Sequence, residues 1–458
     1  APRFGGRTTA GLSLAAIIAG VLGLDPRRGT PEVRGLHAVL ALRREPPAVV
    51  EGGKALPPLH SDRADAPDIL FILTESVRAE DYIADGDGAT APFSAAITRG
   101  RVDLEEMRAV SSYTAVSLSA VLTGRSQEGP RDEVLHASNL FDFAHAAGAL
   151  VSYYSGHSRE TFEARDVRAA VDRFFTLEDI AGREIEDDAD LIVKPLDAIV
   201  VDRMIADLPT ARHPALTVLH FTGTHAPYFF DDERATFAPF ERSVAWSKME
   251  RLRNAYKNSI LEQDRHVARA VRAFVDHAGS RPWLVVFTSD HGEAFGEHGA
   301  IHHGQNLYDE QVRVPGWVLA GPGALEDTEL EHLSDHRRRF VNHLDLLPTV
   351  LDAMGLLDNF SVRPYAEKMR GRSLLRPYAP RGVIPVTNCT GMFRCPLNTW
   401  GLFADDRKLV AQAWDGGWRC LDLGGGEHLV DGDDPACERL SMASRAHFPL
   451  LPNGAPNR

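Results

Sequence analysis

The stretch Asp68-Ile69-Leu70-Phe71-Ile72-Leu73-Thr74-Glu75 is an apolar run that ends on a carboxylate. Its apolar residues do not alternate with polar ones, which is typical of a parallel strand buried on both faces. Three more short apolar runs follow at residues 150–154, 216–221 and 283–288, separated by helix-like segments. Strands that alternate with helices predict an α/β fold with a doubly wound, mostly parallel sheet flanked by helices.

The composition is different in the residues that precede the first predicted strand. Residues 27–66 mix charge, Gly and Pro as linkers do. Residues 8–24 form an uncharged run of 17 residues, the lower limit for a bilayer-spanning helix. A membrane span, a membrane-surface helix and an ordinary buried helix remain open for it. We expect four segments, namely a membrane anchor or interfacial segment (1–26), a linker (27–66), a catalytic domain (67–380) and a small antiparallel C-terminal subdomain (381–458).

The composition excludes several classes of protein. The 64 acidic and 50 basic side chains give a formal net charge of −14, which argues against a nucleic-acid partner. Charged residues make up 25% and aromatic residues 8%. These ordinary values exclude a mostly disordered, collagenous or coiled-coil chain.

The four cysteines are confined to the C-terminal part of the chain, between Cys389 and Cys437. Their spacing fits no usual zinc pattern, so we expect two local disulfides. Three pairings are open, and Cys389 with Cys395 plus Cys420 with Cys437 is favoured because each closes a short loop. Disulfides predict an oxidising compartment, whereas the alternative is four reduced thiols in a cytosolic enzyme.

Acids and imidazoles follow the four predicted strands. Glu75 follows the first, His157 the second, His225 the third, and Asp290 and His291 the fourth. Because ligands bind beyond the carboxyl ends of strands in open α/β sheets, we expect these residues to converge on one site. The oxygen and nitrogen set of Glu75, Asp290 and His291 suits Zn²⁺ or Mn²⁺ better than Mg²⁺.

A hydroxyl is also expected at this site. Residues 111–124 have helical apolar spacing, which locates Thr114 near a helix N-terminus. There the free backbone N–H groups favour an anion, and a coordinating metal would activate the hydroxyl as a nucleophile. Taken alone, Thr114 is also an ordinary helix cap.

Seven motifs follow one another in a characteristic order. They are Asp68-Ile69-Leu70-Phe71-Ile72-Leu73-Thr74-Glu75-Ser76-Val77-Arg78, Thr114-Ala115-Val116-Ser117-Leu118, His220-Phe221-Thr222-Gly223-Thr224-His225-Ala226-Pro227-Tyr228, Ser289-Asp290-His291-Gly292-Glu293, and residues 307–315, 343–349 and 371–375. Together they resemble the alkaline phosphatase superfamily. Within it they resemble the sulfatase-like branch that contains lipoteichoic acid synthase and the lipid A phosphoethanolamine transferases. The resemblance covers roughly residues 66–435.

The resemblance implies roles for individual residues. One divalent transition metal, Zn or Mn, would be held by four ligands: Glu75, Thr114, Asp290 and His291. Thr114 would also be the nucleophile. Contacts to the phosphate or the leaving group would come from His225 and His303, with His298 and His302 as alternatives to His303. Substrate binding would involve His157 and Arg165.

At two positions the sequence differs from the sulfatase pattern, and each difference limits the reactions that we expect the enzyme to catalyse. Thr114 lacks the Pro and Arg that must follow a formylglycine precursor, so ordinary sulfatase chemistry is not expected. Glu75-Ser76 replaces an acidic pair of the sulfatases, which favours the single-metal transferase branch. Residues 307–315, in contrast, look more like the hydrolase branch.

The resemblance therefore implies a transferase at the cell membrane with an extracytoplasmic, periplasmic catalytic domain. It would move phosphoglycerol or phosphoethanolamine from a phospholipid donor to a cell-envelope glycan or lipid acceptor through a phosphothreonine, with the N-terminus associated with the membrane. The alternatives are a phosphodiesterase or phosphatase that passes the group to water, a sulfate-ester hydrolase without formylglycine, and an inactive scaffold.

Overall fold

The computed structural model describes residues 56–126, 137–158, 167–182, 195–380, 382–388, 399–404, 406–412, 417–424, 426–430, 433–449 and 457. Its strands are β1 Asp68–Thr74, β2 Val102–Asp103, β3 Met107–Arg108, β4 Leu150–Ser155, β5 Arg173–Phe175, β6 Ala215–His220, β7 Trp283–Ser289, β8 Ala294–Phe295, β9 Ile301–His302, β10 Gly316–Ala320, β11 Val341–Asn342, β12 Ile384–Thr387, β13 Thr399–Ala404, β14 Arg407–Gln412, β15 Trp418–Asp422 and β16 His428–Leu429. Its α-helices are α1 Pro92–Ile97, α2 Thr114–Thr123, α3 Leu140–Ala146, α4 Leu177–Ala181, α5 Leu196–Asp207, α6 Met249–Ala278, α7 Asp309–Val312, α8 Asp327–Asp335, α9 Leu346–Ala353, α10 Arg363–Ala366 and α11 Pro435–His447.

A seven-stranded sheet forms the centre, in the order β2-β10-β7-β1-β6-β4-β5. The five strands from β7 to β5 are parallel to one another. Strand β10 runs antiparallel to β7, and β2 runs antiparallel to β10. The predicted mostly parallel sheet is confirmed, and its four predicted strands agree with β1, β4, β6 and β7 to within one residue at each end.

Helices cover both faces of this sheet. Ile69, Phe71 and Leu73 of β1 belong to one buried cluster, which includes side chains from α2, α3 and α9. Leu70 and Ile72 belong to a second cluster on the other face, with side chains from α5 and α6. Burial on both faces explains why the sequence of β1 is apolar without alternation.

The C-terminal part contains a five-stranded antiparallel sheet, β12 to β16 in sequential order, packed against α11. This confirms the antiparallel character that the sequence predicts. A disulfide joins Cys420 of β15 to Cys437 of α11, as predicted. Cys389 and Cys395 lie outside the described residues.

Buried charges connect this antiparallel sheet to the central domain. Lys408 of β14 is fully buried. Its ammonium group donates to the Leu307 carbonyl oxygen at 2.8 Å and pairs with Asp309 at 2.9 Å and with Glu427. Asp309 also pairs with buried Arg108 at 2.8 Å. A buried ion pair of this kind is costly to break, because removal of one partner leaves an uncompensated charge.

Residues 8–24 lie outside the described part of the chain, so the membrane prediction stays a prediction. In the part that is described, no helix is both long and apolar enough to cross a bilayer. The division into four segments also stays a prediction.

Candidate active site

The carboxyl ends of β1, β4, β6 and β7 meet at one edge of the sheet. The register pairs Leu73 of β1 with His220 of β6 and with Thr288 of β7. The residues that follow these strands therefore come close together, as predicted. Glu75 and Asp290 are both fully buried there.

Backbone hydrogen bonds fix the turn after β1. Ser76 has a left-handed backbone with φ of +57°. Its N–H donates to Asp290 Oδ1 at 2.9 Å, and the Val77 N–H donates to Ser289 Oγ at 2.7 Å. These bonds hold the turn against the end of β7, so the Glu75 side chain faces Asp290 and His291.

Four side chains with ligand atoms surround one point. Thr114 Oγ1 is 3.1 Å from His291 Nε2 and 3.4 Å from each carboxylate oxygen of Glu75. His291 Nε2 is 3.4 Å from Glu75 Oε1 and 3.3 Å from Asp290 Oδ2. His291 Nδ1 donates to the Gly292 carbonyl oxygen at 2.9 Å, which leaves the Nε2 lone pair directed at this cluster.

The electrostatics of this cluster favour a cation. Burial and the neighbouring Glu75 charge raise the pKa of the Asp290 carboxyl well above its usual value. Burial also opposes ionisation of Glu75, but the contact with His157 and the field of His291 hold its pKa well below the usual value. Among the described residues, no lysine or arginine pairs with either acid.

A buried carboxylate oxygen without a partner in the described part of the chain also indicates a cation site. Asp290 Oδ2 is buried and has no hydrogen-bond partner among the described residues. Burial and the field of His303 lower the pKa of His291 to about 4, so its imidazole is neutral, as a ligand requires. Two carboxylates, one neutral imidazole and one hydroxyl fit a divalent transition metal such as Zn²⁺ or Mn²⁺.

Thr114 is the first residue of α2 and is partly exposed. The turn before it is held from two distant segments, because the Ser112 N–H donates to Asn388 Oδ1 at 2.9 Å and Ser112 Oγ donates to the Asn306 carbonyl oxygen at 2.6 Å. The helix ends at Gly124, whose φ is +62°. The first N–H groups of α2 have no partner within the helix, so they favour an anion beside the hydroxyl.

Two histidines lie beside these four side chains. The side-chain donor atoms of His225 and His303 lie within 4.8 Å of one another and of a Glu75 carboxylate oxygen. Their rings are 5.4 Å apart, and the ring of His303 is 4.3 Å from that of His291. His225 Nδ1 donates to the Ala226 carbonyl oxygen at 2.7 Å, which leaves its Nε2 for a ligand.

The two alternatives to His303 have other partners. His298 stacks on Tyr308 with ring centres 3.6 Å apart, and its Nδ1 is 3.0 Å from Glu310. His302 Nδ1 is 3.0 Å from Glu293 Oε1. Of these three histidines, only His303 shares a potential metal-binding cluster with Glu75, in which the ligand atoms lie within 4.8 Å of one another.

Glu293 is a site residue to which the sequence assigned no role. It is fully buried, and its two oxygens contact His302 at 3.0 Å and His303 Nδ1 at 3.2 Å. Burial opposes its charge, but the two histidines lower its pKa to about 2. Although burial lowers the pKa of His303, the Glu293 charge outweighs that effect and raises it above the usual value.

The predicted substrate-binding pair is described only in part, because Arg165 lies outside the described residues. His157 Nε2 is 3.2 Å from Glu75 Oε2. Its ring stacks on that of His220 at 4.2 Å. His220 is a second site residue without a predicted role, and its only signal was an imidazole at the end of an apolar strand. Burial lowers its pKa well below the usual value.

Comparison with known protein families identifies the family of this chain. The profile of the sulfatase family matches residues 67–356, which span β1, Thr114 and every histidine of the site. The chain belongs to the sulfatase family. This confirms the resemblance to the sulfatase-like branch of the alkaline phosphatase superfamily, and with it the expectation of an enzyme.

Three known proteins are similar to this chain. Phosphatidylethanolamine transferase Mcr-2 from Escherichia coli is 22% identical over 282 residues, which are 58% of this chain and 51% of Mcr-2. The zinc complex of the C-terminal periplasmic domain of EcEptC from Escherichia coli is 17% identical, with a TM-score of 0.56 over 72% of this chain and 93% of that domain. Phosphonate monoester hydrolase SpPMH from Silicibacter pomeroyi is 18% identical, with a TM-score of 0.57 over 83% and 94%.

The structural and the sequence similarities support different conclusions. The two structural similarities show a shared fold. The chain spans about half the length of Mcr-2. Mcr-2 is named a transferase, and SpPMH is named a hydrolase.

Proposed function

We propose that this sulfatase-family enzyme transfers phosphoethanolamine from a phospholipid donor to a cell-envelope glycan or lipid acceptor. Phosphoglycerol transfer is the same chemistry with a different headgroup. The observation that carries the proposal is the Thr114 hydroxyl at the start of α2, within 3.4 Å of both Glu75 and His291. The likeness to Mcr-2 supports the choice of phosphoethanolamine.

The first half of the reaction forms a phosphothreonine. Thr114 Oγ1 attacks the phosphorus of the phosphodiester, and the bond from phosphorus to the diacylglycerol oxygen breaks. The hydroxyl proton of the partly exposed Thr114 passes to solvent, and the departing diacylglycerol oxygen takes a proton from His303. Glu75, Thr114, Asp290 and His291 would hold one Zn²⁺ or Mn²⁺, which would supply Lewis-acid stabilisation of charge on oxygen.

His303 is suited to protonate the leaving oxygen. The buried Glu293 carboxylate contacts its Nδ1 at 3.2 Å and favours the protonated ring. His225 presents its Nε2 from the neighbouring loop and would bind a phosphoryl oxygen. In the second half the acceptor hydroxyl attacks the same phosphorus and passes its proton to the now neutral His303. The bond from phosphorus to Thr114 Oγ1 breaks, and Thr114 recovers a proton from solvent.

A phospholipid donor and the cysteine content support an extracytoplasmic location at the membrane. The Cys420–Cys437 disulfide requires oxidising conditions to persist. The similar EcEptC domain is described as periplasmic. We therefore propose a periplasmic catalytic domain, held near lipid through the N-terminal residues.

Hydrolysis to water is the second candidate. Its support is the similarity to phosphonate monoester hydrolase SpPMH together with the hydrolase-like residues 307–315. The physical difference is whether the phosphothreonine is shielded from water until an alcohol arrives.

A product assay separates the two candidates. Vesicles that contain headgroup-labelled phosphatidylethanolamine are incubated with the enzyme, with and without lipid A as acceptor. We expect labelled lipid A and an equal molar amount of unlabelled diacylglycerol. The proposal fails if label appears only as water-soluble phosphoethanolamine at a rate that lipid A does not change. Asp290→Asn is the matched inactive control.

A further inference from the structure

The two oxygens of the Glu75 carboxylate face different groups of histidines. Oε1 is 3.4 Å from His291 Nε2 and accepts from Ser76 Oγ at 2.8 Å. Oε2 is 3.2 Å from His157 Nε2. A carboxylate with one oxygen on each side has the geometry that bridges two cations.

The group on the Oε2 side contains a fully buried imidazole with an orphaned nitrogen. His220 Nδ1 is 3.2 Å from the Tyr153 hydroxyl, whereas its Nε2 has no hydrogen-bond partner among the described residues. An unpaired buried polar atom is destabilising, because it has lost its bond to water and gained none in the protein. Within the part of the chain that the structure describes, His157 Nε2 likewise has no hydrogen-bond partner.

The ligand atoms of Glu75, His157 and His220 lie within 4.8 Å of one another. We propose that these three residues form a second divalent metal site, with Glu75 bridging it to the site at Thr114. Two imidazoles and one carboxylate are a zinc ligand set that leaves a fourth position for water or a substrate oxygen. Zn²⁺ is therefore the expected ion.

A competing set shares Glu75 but differs in its surroundings. His225 and His303 also lie within 4.8 Å of Glu75, and both are partly exposed. Solvent can satisfy their free nitrogens, whereas burial seals the His220 nitrogen from water. The second ion is therefore assigned to His157 and His220.

Zinc stoichiometry tests this assignment. The whole chain is stripped with a chelator, titrated with Zn²⁺ by calorimetry, and gel-filtered for elemental analysis. We expect two equivalents in the unaltered protein and one in both His157→Ala and His220→Phe. Phe retains an aromatic ring that can stack on His157 and has no ligand atom. His225→Ala and the exposed control His145→Ala should both keep two equivalents.

The assignment is overturned by a single equivalent in the unaltered protein, by two in His220→Phe, or by loss of the second equivalent in His225→Ala alone. Far-ultraviolet circular dichroism checks the fold of each variant. If His220→Phe does not fold, the partly exposed His157→Ala decides the outcome. Co²⁺ gives an independent readout, since two carboxylate-bridged ions are spin-coupled in electron paramagnetic resonance and the His157→Ala protein should lose that coupling.

This inference concerns metal binding and goes beyond the proposed function. An enzyme that binds two Zn²⁺ and transfers nothing would refute only the transferase proposal. An enzyme that transfers phosphoethanolamine with one Zn²⁺ would refute only the second site.

Discussion

Replacement of Thr114 by alanine isolates the nucleophile from the rest of the site. Thr114→Ala removes one hydroxyl and one methyl group at a partly exposed helix start. The hydrogen bonds of this hydroxyl go to Glu75 and His291 within the site. The fold should therefore survive, with a change in the free energy of unfolding of about 1 kcal/mol or less.

The expected loss of activity is much larger. Without the hydroxyl no phosphothreonine forms, and turnover should fall by on the order of a thousandfold or more. At about 1.4 kcal/mol for each factor of ten, that is at least about 4 kcal/mol of lost transition-state stabilisation. Thr114→Ser retains the hydroxyl, so it should keep measurable activity.

The assay is release of labelled diacylglycerol from phosphatidylethanolamine vesicles, with mass spectrometry of the protein for an adduct on Thr114. The matched control is Thr123→Ala at the other end of α2, where the hydroxyl donates to the Ser119 carbonyl oxygen at 2.6 Å, away from the site. It should retain full activity. Near-normal turnover in folded Thr114→Ala would refute the nucleophile assignment and the covalent route with it.

Three further predictions follow from the contacts of the site and of the C-terminal sheet. His225→Ala and His303→Ala should each lower kcat by roughly a hundredfold, the range for a lost acid or charge stabiliser, in the same vesicle assay. Glu293→Gln removes the charge that raises the pKa of His303, so the alkaline limb of the pH–kcat profile should move to lower pH; an unchanged limb would exclude His303 as the acid. Cys420 and Cys437 are 17 residues apart, and replacing both by serine should lower the free energy of unfolding in urea by about 3 kcal/mol. If the unaltered protein has the same urea midpoint with and without reductant, this prediction is wrong.

The central sheet could be predicted because its strands carry an unambiguous signal. Burial on both faces requires apolar residues at successive positions, and β1 has the predicted bounds of residues 68–74. The predicted strands stop one residue short where a polar side chain such as Ser155 or Ser289 belongs to the strand. A local pattern cannot tell such a residue from the loop that follows.

The candidate site was predictable to the extent that strand ends converge. Glu75, Asp290 and His291 meet for that reason. The support from Asn388 was not predictable, because it reaches Ser112 from 276 residues away through tertiary packing. The orphaned nitrogen of His220 was equally hidden, since only the three-dimensional arrangement reveals that an imidazole lacks a partner.

The buried Lys408 has a consequence for engineering. Its ammonium group is held by Asp309 of the central domain and Glu427 of the C-terminal part, so the charges balance only when both parts are present. A chimera that takes the antiparallel sheet from another family member must keep a cation at position 408 to balance the Asp309 charge of the central domain. Truncation before residue 408 would leave Asp309 with Arg108 alone. The minimal unit for crystallisation or display therefore includes the C-terminal sheet, wherever the catalytic motifs end.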